Sequence, residues 1–421
     1  MIDFKENIRP YKVLLKNFTS LSILQITNYL FPLITLPYLV RVLGPEKYGL
    51  VNFALAFTAY FVTICDYGFN LSATKEISIN RENKYKISKI FSSVITIKVV
   101  LFFLSTLIFL LIVFLFKIFQ ENVLLYSVAL LSVLGTAFFP LWFYQGIERM
   151  KYILIISVAV RTFTTVLIFL LIKNENDFVV YAGLNTLTQI LIGILGLSFA
   201  LRKFGINYSL PTIDQLKKQI KNGWSYFLST IWISLYTTSN IFILGLFAPN
   251  YVVGYFAAAD KIRIAFQGLF SSMSQSVFPY VNKLLSESYE KFISFNKKLF
   301  KVNAIVGVII SVTIFLLAEP IVKIVLGNEY VSSVLVLKII GWLPLIIIMS
   351  NVMGIQTMLP LNKQNAFSFV LFLAAIINLS LSFILVPKFF EIGTSISVLL
   401  TEVFVTISFF IFLKRNKIRI L

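Results

Sequence analysis

The 421-residue sequence contains no histidine and a single cysteine, Cys65. Without imidazole, the usual acid–base group near neutral pH and the commonest transition-metal ligand are both missing. One cysteine excludes an intrachain disulfide framework. Charge is also scarce, at 13% of residues, and acidic groups number 18 against 37 basic ones, for a formal net charge of +19. What fills the chain is hydrocarbon: 58% of residues are hydrophobic, 43 of them Phe, and the mean hydropathy is +0.89. A water-soluble domain cannot bury such an excess. The apolar residues fall in runs of about twenty, each able to cross a hydrocarbon layer roughly 30 Å thick as a helix. The sequence therefore predicts an integral membrane protein with no soluble catalytic domain. Its first apolar run is too long for a signal-peptide core and lacks a small-residue cleavage site, so it is expected to stay as an anchor.

Windows of about 19 residues, cut at charge clusters and at Pro, Gly and Asn turns, give twelve candidate helices: 17–40, 48–70, 90–116, 123–145, 152–172, 178–200, 223–247, 251–279, 302–326, 335–359, 365–386 and 392–413. Backbone in lipid must satisfy its own hydrogen bonds, which favours helices here because the alternating ten-residue pattern of a barrel is absent. The basic residues alternate with these helices. On one side fall Lys5, Arg9, Lys12 and Lys16; Lys75, Arg81, Lys84, Lys86 and Lys89; Arg149 and Lys151; Arg202, Lys203, Lys217, Lys218 and Lys221; Lys283, Lys291, Lys297, Lys298 and Lys301; Lys363; and Lys414, Arg415, Lys417 and Arg419. The opposite loops hold only Arg41, Lys47, Lys117, Lys173 and Lys388. By the positive-inside rule both termini are expected in the cytoplasm. The net charge then reflects topology and attraction to anionic membrane lipids, not nucleic-acid binding.

The connection 201–222 follows six candidate helices, so the chain is expected to form an N-terminal six-helix lobe (1–200), a cytoplasmic linker (201–222) and a C-terminal six-helix lobe (223–421). The fold class is all-α and polytopic, with two pseudo-symmetric lobes around a central cavity, a place where transport sites usually lie. The turns Leu43-Gly44-Pro45-Glu46 and Phe247-Ala248-Pro249-Asn250 occupy corresponding places in the two halves. Polar residues gather on the first, seventh and eighth candidate helices, among them Asn17, Gln25, Asn28, Ser234, Asn240, Gln267 and Gln275. Such groups are costly against hydrocarbon and should face inward.

Ionisable residues separate by depth. Lys98, Glu319, Lys323 and Lys338 lie within about two turns of a candidate end, near enough to snorkel. Arg161, Asp260, Lys261, Arg263 and Glu402 lie deeper and are functional candidates, with Asp66 expected to cap or gate near a helix end. Asp260 and Arg263, three apart, share a helix face and can pair, while Lys261 points about 100° away from Asp260. Together with Arg161 these cations would suit an anionic head group. An ion-pair network, for instance Glu402 with Arg161, is the structural alternative.

Four stretches carry a resemblance. Leu36-Pro37-Tyr38-Leu39-Val40-Arg41-Val42-Leu43-Gly44-Pro45-Glu46-Lys47-Tyr48-Gly49, Asp66-Tyr67-Gly68-Phe69-Asn70, Pro140-Leu141-Trp142-Phe143-Tyr144-Gln145-Gly146-Ile147-Glu148 and Gly254-Tyr255-Phe256-Ala257-Ala258-Ala259-Asp260-Lys261-Ile262 are similar to the Wzx-type O-antigen flippases. These form part of the polysaccharide-transport branch of the superfamily that contains the MATE exporters and lipid II flippases. The resemblance implies a V-shaped pair of lobes around a cationic cavity. It further implies movement of undecaprenyl-pyrophosphate-linked oligosaccharide repeat units from the inner to the outer leaflet of the bacterial cytoplasmic (inner) membrane by alternating access. By match it points to Arg41, Lys261 and Arg263, with Arg161 from the charge analysis, as cargo-binding cations. Asp66 and Asp260, with Glu402 from the same analysis, become the coupling or gating carboxylates. No cofactor is expected; with no His, coupling to an H+ gradient would need these carboxylates, and an Na+ gradient is equally open. The O-antigen polymerase and chain-length machinery are expected partners beside the lipid-linked cargo.

Physical chemistry agrees with such a cargo. A bare pyrophosphate would cost on the order of tens of kcal/mol to bring into hydrocarbon. Its outward movement down an inside-negative potential gains about 2.3 kcal/mol per charge per 100 mV. The main alternative is a MATE-like ion-coupled exporter of another lipid-linked glycan or a small amphiphile, but a cation-export cavity should be net acidic. A major-facilitator sugar transporter lacks support in the loop Lys75-Glu76-Ile77-Ser78-Ile79-Asn80-Arg81-Glu82. A membrane enzyme is disfavoured by the short outer loops and the missing phosphate-binding Gly-rich loop.

Overall fold

The computed structural model describes the backbone of residues 4–418 and 420, and the side chains of residues 19–268, 277, 278, 280–418 and 420. The side chains of Lys5, Arg9, Lys12, Lys16, Asn17 and Gln275, and all of Arg419, named above from the sequence, lie outside the described residues.

The described chain is helical and has no strand. In order the helices are α1 (Phe4–Asp66), α2 (Phe69–Ile79), α3 (Lys84–Leu115), α4 (Lys117–Gln120), α5 (Val123–Phe138), α6 (Leu141–Gly146), α7 (Met150–Leu171), α8 (Phe178–Phe204), α9 (Ile213–Thr237), α10 (Ser239–Phe247), α11 (Asn250–Glu287), α12 (Tyr289–Ile321), α13 (Ser333–Ile340), α14 (Leu343–Met353) and α15 (Gln364–Arg415). A straight α1 would be about 95 Å long, some three times the hydrocarbon thickness. It is broken at Gly44, whose φ of 64° and ψ of 171° leave the helical region immediately before Pro45. In α15 the break falls at Phe390 (φ 46°, ψ −122°), three residues after Pro387.

Eight described helical stretches are long and apolar enough to cross a membrane, or nine when α9 and α10, bent by 48°, count as one span. The expected number of twelve is not confirmed by this count, for two physical reasons. Both α1 and α15 run through a kink and each covers two of the expected ranges. The expected eighth span is α11, whose Asp260, Lys261, Arg263 and Gln267 make it too polar to qualify.

The chain divides into two compact units, one of residues up to Thr27 with Ala54–Ser234, the other of Asn28–Phe53 with Leu235–Leu421. The passages between them therefore fall inside α1 and inside α9.

In the first unit, Phe69, Phe91, Trp142, Phe143, Tyr144 and Ile153 form a buried aromatic and aliphatic core. The Tyr144 hydroxyl donates to the Gly196 carbonyl at 2.7 Å, so the aromatic body is buried without an orphaned hydroxyl. Small residues let α5 and α8 meet backbone to backbone: a Cβ on Gly193 would lie 2.2 Å from the Gly135 oxygen. The segment after α8 is pinned to α3, where the hydroxyls of Ser88 and Ser92 accept the amides of Asn207 and Ser209. Gln219 of α9 then donates to Glu76 of α2 at 2.7 Å.

In the second unit, Met353, Met358, Val370, Leu371, Val405 and Phe409 form the core. The two proline turns noted in the sequence pack on one another. A Cβ on Gly49 would lie 1.8 Å from the Asn250 oxygen, and one on Gly254 would lie 2.2 Å from the Pro45 oxygen. The Glu46 carboxylate accepts the Tyr251 amide at 3.0 Å and the Asn250 side-chain amide at 3.1 Å. An anion thereby satisfies one orphan donor, the Tyr251 amide, at the start of α11 and complements its dipole. This clamp fixes the end of the helix that carries the deep charges.

Candidate functional site

Helix α11 presents Asp260, Lys261 and Arg263 about three turns from its anchored start. The Arg263 Nε donates to Asp260 Oδ1 at 2.7 Å, with side-chain exposures of 12% and 18%, so this is a largely buried i,i+3 pair. The Arg263 Nη1 also donates to Gln267 Oε1, which locks the guanidinium along the helix. Lys261 is half-buried and, among the described residues, has neither a hydrogen bond nor an ion pair. One cation of α11 is thus paired by contact, while the other lies in the field of Asp260 and makes no contact pair among the described residues.

Glu402 of α15 belongs to the same unit. It is only 9% exposed, makes no ion pair among the described residues, and lies in the field of the Arg263 guanidinium, with Tyr236 of α9 beside it. Arg263 therefore stands between two carboxylates, bonded to Asp260 and attracting Glu402. Arg161, the other partner considered for Glu402, belongs to α7 of the first unit, where its Nε is buried and has no hydrogen-bond partner among the described residues.

Arg41 is exposed, and its Nη2 donates to the Ile324 carbonyl in the π-helical turn that follows α12. Its side chain also flanks Gly327, the residue at φ 96° that ends that turn. The structure thus gives Arg41 a role in holding a helix end of the second unit.

The first unit holds a second charge cluster that depth along the sequence had hidden. Lys98, expected to snorkel from a helix end, is 1% exposed, and its Nζ lies 3.0 Å from Asp66 Oδ1. The other carboxylate oxygen of Asp66 accepts the Asn70 amide at 2.7 Å. Lys98 lies about four turns into α3, which starts six residues before the apolar run that marked it in the sequence. The signal for it was complementarity: a lone acid and a lone base on consecutive candidate helices. Glu319 and Lys323 do behave as end residues, pairing at 2.7 Å while about half exposed. Lys338 sits over the Phe315 ring at 5.8 Å. Among the described residues, no group of three or more Cys, Asp or Glu is placed to hold a metal ion.

Residues 14–285 match the family model described as polysaccharide biosynthesis protein. A putative O-antigen transporter of Escherichia coli (strain K12) is 33% identical over 403 residues, covering 96% of this chain and 97% of its own. The chain belongs to the polysaccharide biosynthesis protein family. The matched region includes Arg41, Asp66, Arg161, Asp260, Lys261 and Arg263 but ends well before Glu402. Among solved structures, this family member resembles an inward-facing MATE multidrug transporter, with a TM-score of 0.72, 13% identity and coverage of 95% of this chain and 98% of that one. It also resembles the lipid II flippase MurJ in its inward closed conformation, with a TM-score of 0.69, 15% identity and coverage of 92% and 87%. At such identities these likenesses establish the fold alone.

Proposed function

We propose that the protein is a flippase. It moves undecaprenyl-pyrophosphate-linked oligosaccharide (O-antigen) repeat units from the inner to the outer leaflet of the bacterial cytoplasmic membrane by alternating access. The observation that carries this reading is the excess of base over acid on α11: Arg263 is tied to Asp260, and Lys261, in the field of that same carboxylate, makes no hydrogen bond or ion pair among the described residues. A half-buried ammonium needs an anion, and a pyrophosphate supplies one with charge-assisted hydrogen bonds. The lipid tail stays in the bilayer while the protein replaces water around the head group, so no covalent chemistry is required of the chain.

In this reading the two six-helix halves are the moving bodies and both termini lie in the cytoplasm, as the basic loops favour. Lys261 and Arg263 bind the head group, Arg161 is a further candidate cation of the first unit, and Arg41 holds the helix end at Ile324. Glu402 and Asp260 are the carboxylates through which an H+ or Na+ gradient would be coupled. The polymerase and chain-length machinery receive the exported unit.

The test is complementation of a strain that makes a matched cargo but lacks its own flippase. Wild type should restore surface polymer, while Lys261→Ala and Arg263→Glu should accumulate in the membrane without restoring it. Export by Arg263→Glu at the wild-type level would overturn the assignment, and failure of wild type with a matched cargo would point to a MATE-like exporter of another amphiphile.

A further inference from the structure

The second unit holds an open cavity of about 290 Å³ where the start of α13 meets the second half of α15. Its polar lining is Lys338, Glu391 and Ser332, and the rest is aliphatic, from Val331, Val334, Leu335 and Ile392. Two spans begin at this place. The stretch Ser333–Met358 is long and apolar enough to cross a membrane, and Glu391 directly follows the break at Phe390 that restarts α15. The cavity therefore lies where both helices enter the bilayer, on the side opposite the basic loops. Val331 and Leu335 beside it are exposed, as residues that meet hydrocarbon are.

Two opposite charges share this cavity without closing on each other, for neither Lys338 nor Glu391 makes an ion pair among the described residues. Lys338 lies over the Phe315 ring and in the field of Glu319, whose carboxylate Lys323 already holds at 2.7 Å. Glu391 has its own amide beside it and acts at a distance on Tyr255. The two charges also differ in depth. Lys338 is five residues past Ser333, about 7.5 Å along α13, whereas Glu391 is the first residue after its break. A ligand that fills the gap must present its anion toward the hydrocarbon and its cation toward water. An amino-headed glycerophospholipid has that order, with the phosphate next to the glycerol and chains and the ammonium beyond it. No aromatic residue lines the cavity, although aromatic rings are the usual cage for a quaternary ammonium. A primary ammonium instead donates three hydrogen bonds, and a carboxylate accepts them with the strength of a charge-assisted pair. A purely anionic head group, the cargo pyrophosphate included, would bring its charge against Glu391 and is rejected by it.

We propose that this cavity is a binding site for a membrane phospholipid with a primary-ammonium head group, of the phosphatidylethanolamine class, in which Lys338 holds the phosphate and Glu391 the ammonium. The aliphatic lining then packs on the glycerol and the first carbons of the chains. The site is separate from the charged residues of α11 and does not depend on what the protein exports.

The test equilibrates the full-length protein in mixed micelles with equal amounts of dioleoyl phosphatidylethanolamine, phosphatidylcholine and phosphatidylglycerol, and counts the retained lipid by native mass spectrometry. Wild type should retain the ethanolamine lipid several-fold over the other two. A series from phosphatidylethanolamine through its monomethyl and dimethyl forms to phosphatidylcholine should lose retention stepwise, because each methyl removes one donor. That series uses wild type alone and decides the matter even where a variant fails to accumulate. Glu391→Gln should lower the ethanolamine lipid to the level of the choline lipid and raise phosphatidylglycerol. Lys338→Met should lower retention of the ethanolamine lipid several-fold. Equal retention of the three lipids by wild type would overturn the site, as would a flat response to methylation. An unchanged preference in a folded Glu391→Gln protein, or a wild-type preference for phosphatidylglycerol, would overturn it as well.

Discussion

The two units handle buried charge in opposite ways. In the first, Asp66 and Lys98 cancel, and both carboxylate oxygens of Asp66 are occupied. In the second, Arg263 is bonded to Asp260 and lies in the field of Glu402, while Lys261 makes no hydrogen bond or ion pair among the described residues. A closed pair stabilises whatever conformation it closes. An open cation is costly to the empty protein and is repaid only when an anion arrives. The contrast separates residues whose removal should damage the fold from residues whose removal should damage only transport.

The largest effect is expected at the closed pair. Lys98→Ala strands a largely buried carboxylate, a change that costs about 3–5 kcal/mol when one partner of a buried pair is removed. The variant should show a sharp fall in the amount of folded protein in the membrane and in thermal stability in detergent. Adding Asp66→Asn should recover most of that loss, because it removes the stranded charge. A Lys98→Ala protein as stable as wild type would erase the contrast between the units.

Next in size is the clamp that aims α11. Gly49→Ala would set a Cβ 1.8 Å from the Asn250 carbonyl oxygen, where neither backbone can yield cheaply. Overpacking of this kind costs about 1–3 kcal/mol. Thermal unfolding in detergent should show that loss, and export should fall with it, because the displaced helix carries Lys261 and Arg263. A smaller effect is expected at Arg41. Arg41→Gln shortens the reach to the Ile324 carbonyl and forfeits a hydrogen bond from a charged donor, about 1.5–3 kcal/mol at most and less at this exposed position. Stability should drop slightly while export persists. If export vanished at full stability, Arg41 would instead be a cargo ligand.

Much of this was legible in the sequence, and for a physical reason. Lipid forces helices and excludes stray charge, so hydropathy marks the helices and any ion within them stands out. The three-residue spacing of Asp260 and Arg263 specified their pairing, and with it the surplus of Lys261. Lys98 was misplaced because depth was counted from the edge of an apolar run, whereas α3 extends back through the polar residues from Lys84. The break in α1 was announced by Gly44-Pro45, but nothing about Phe390 foretells a positive φ; its strain is set by how the chain turns beyond Pro387. Nor does hydropathy show that α1 changes unit after Thr27 and again after Phe53, since that depends on contacts far apart in sequence.

The smallest effect on stability, and the most informative, is expected at Lys261. Its ammonium has no hydrogen bond or ion pair to lose among the described residues, and burial without a partner is itself unfavourable. Lys261→Met keeps the aliphatic stem and removes the charge. It should therefore leave the amount and thermal stability of the protein unchanged or slightly raised, while export of a pyrophosphate-linked cargo is lost. Lys261→Arg restores the cation but exchanges a compact ammonium for a wide planar fork, so it should recover export only in part. Measured side by side, Lys98→Ala and Lys261→Met should fail in opposite assays, the first in folding and the second in transport. If both failed in folding, Lys261 would have an acceptor in the empty protein, and the positive surplus on α11 would no longer argue for an anionic cargo.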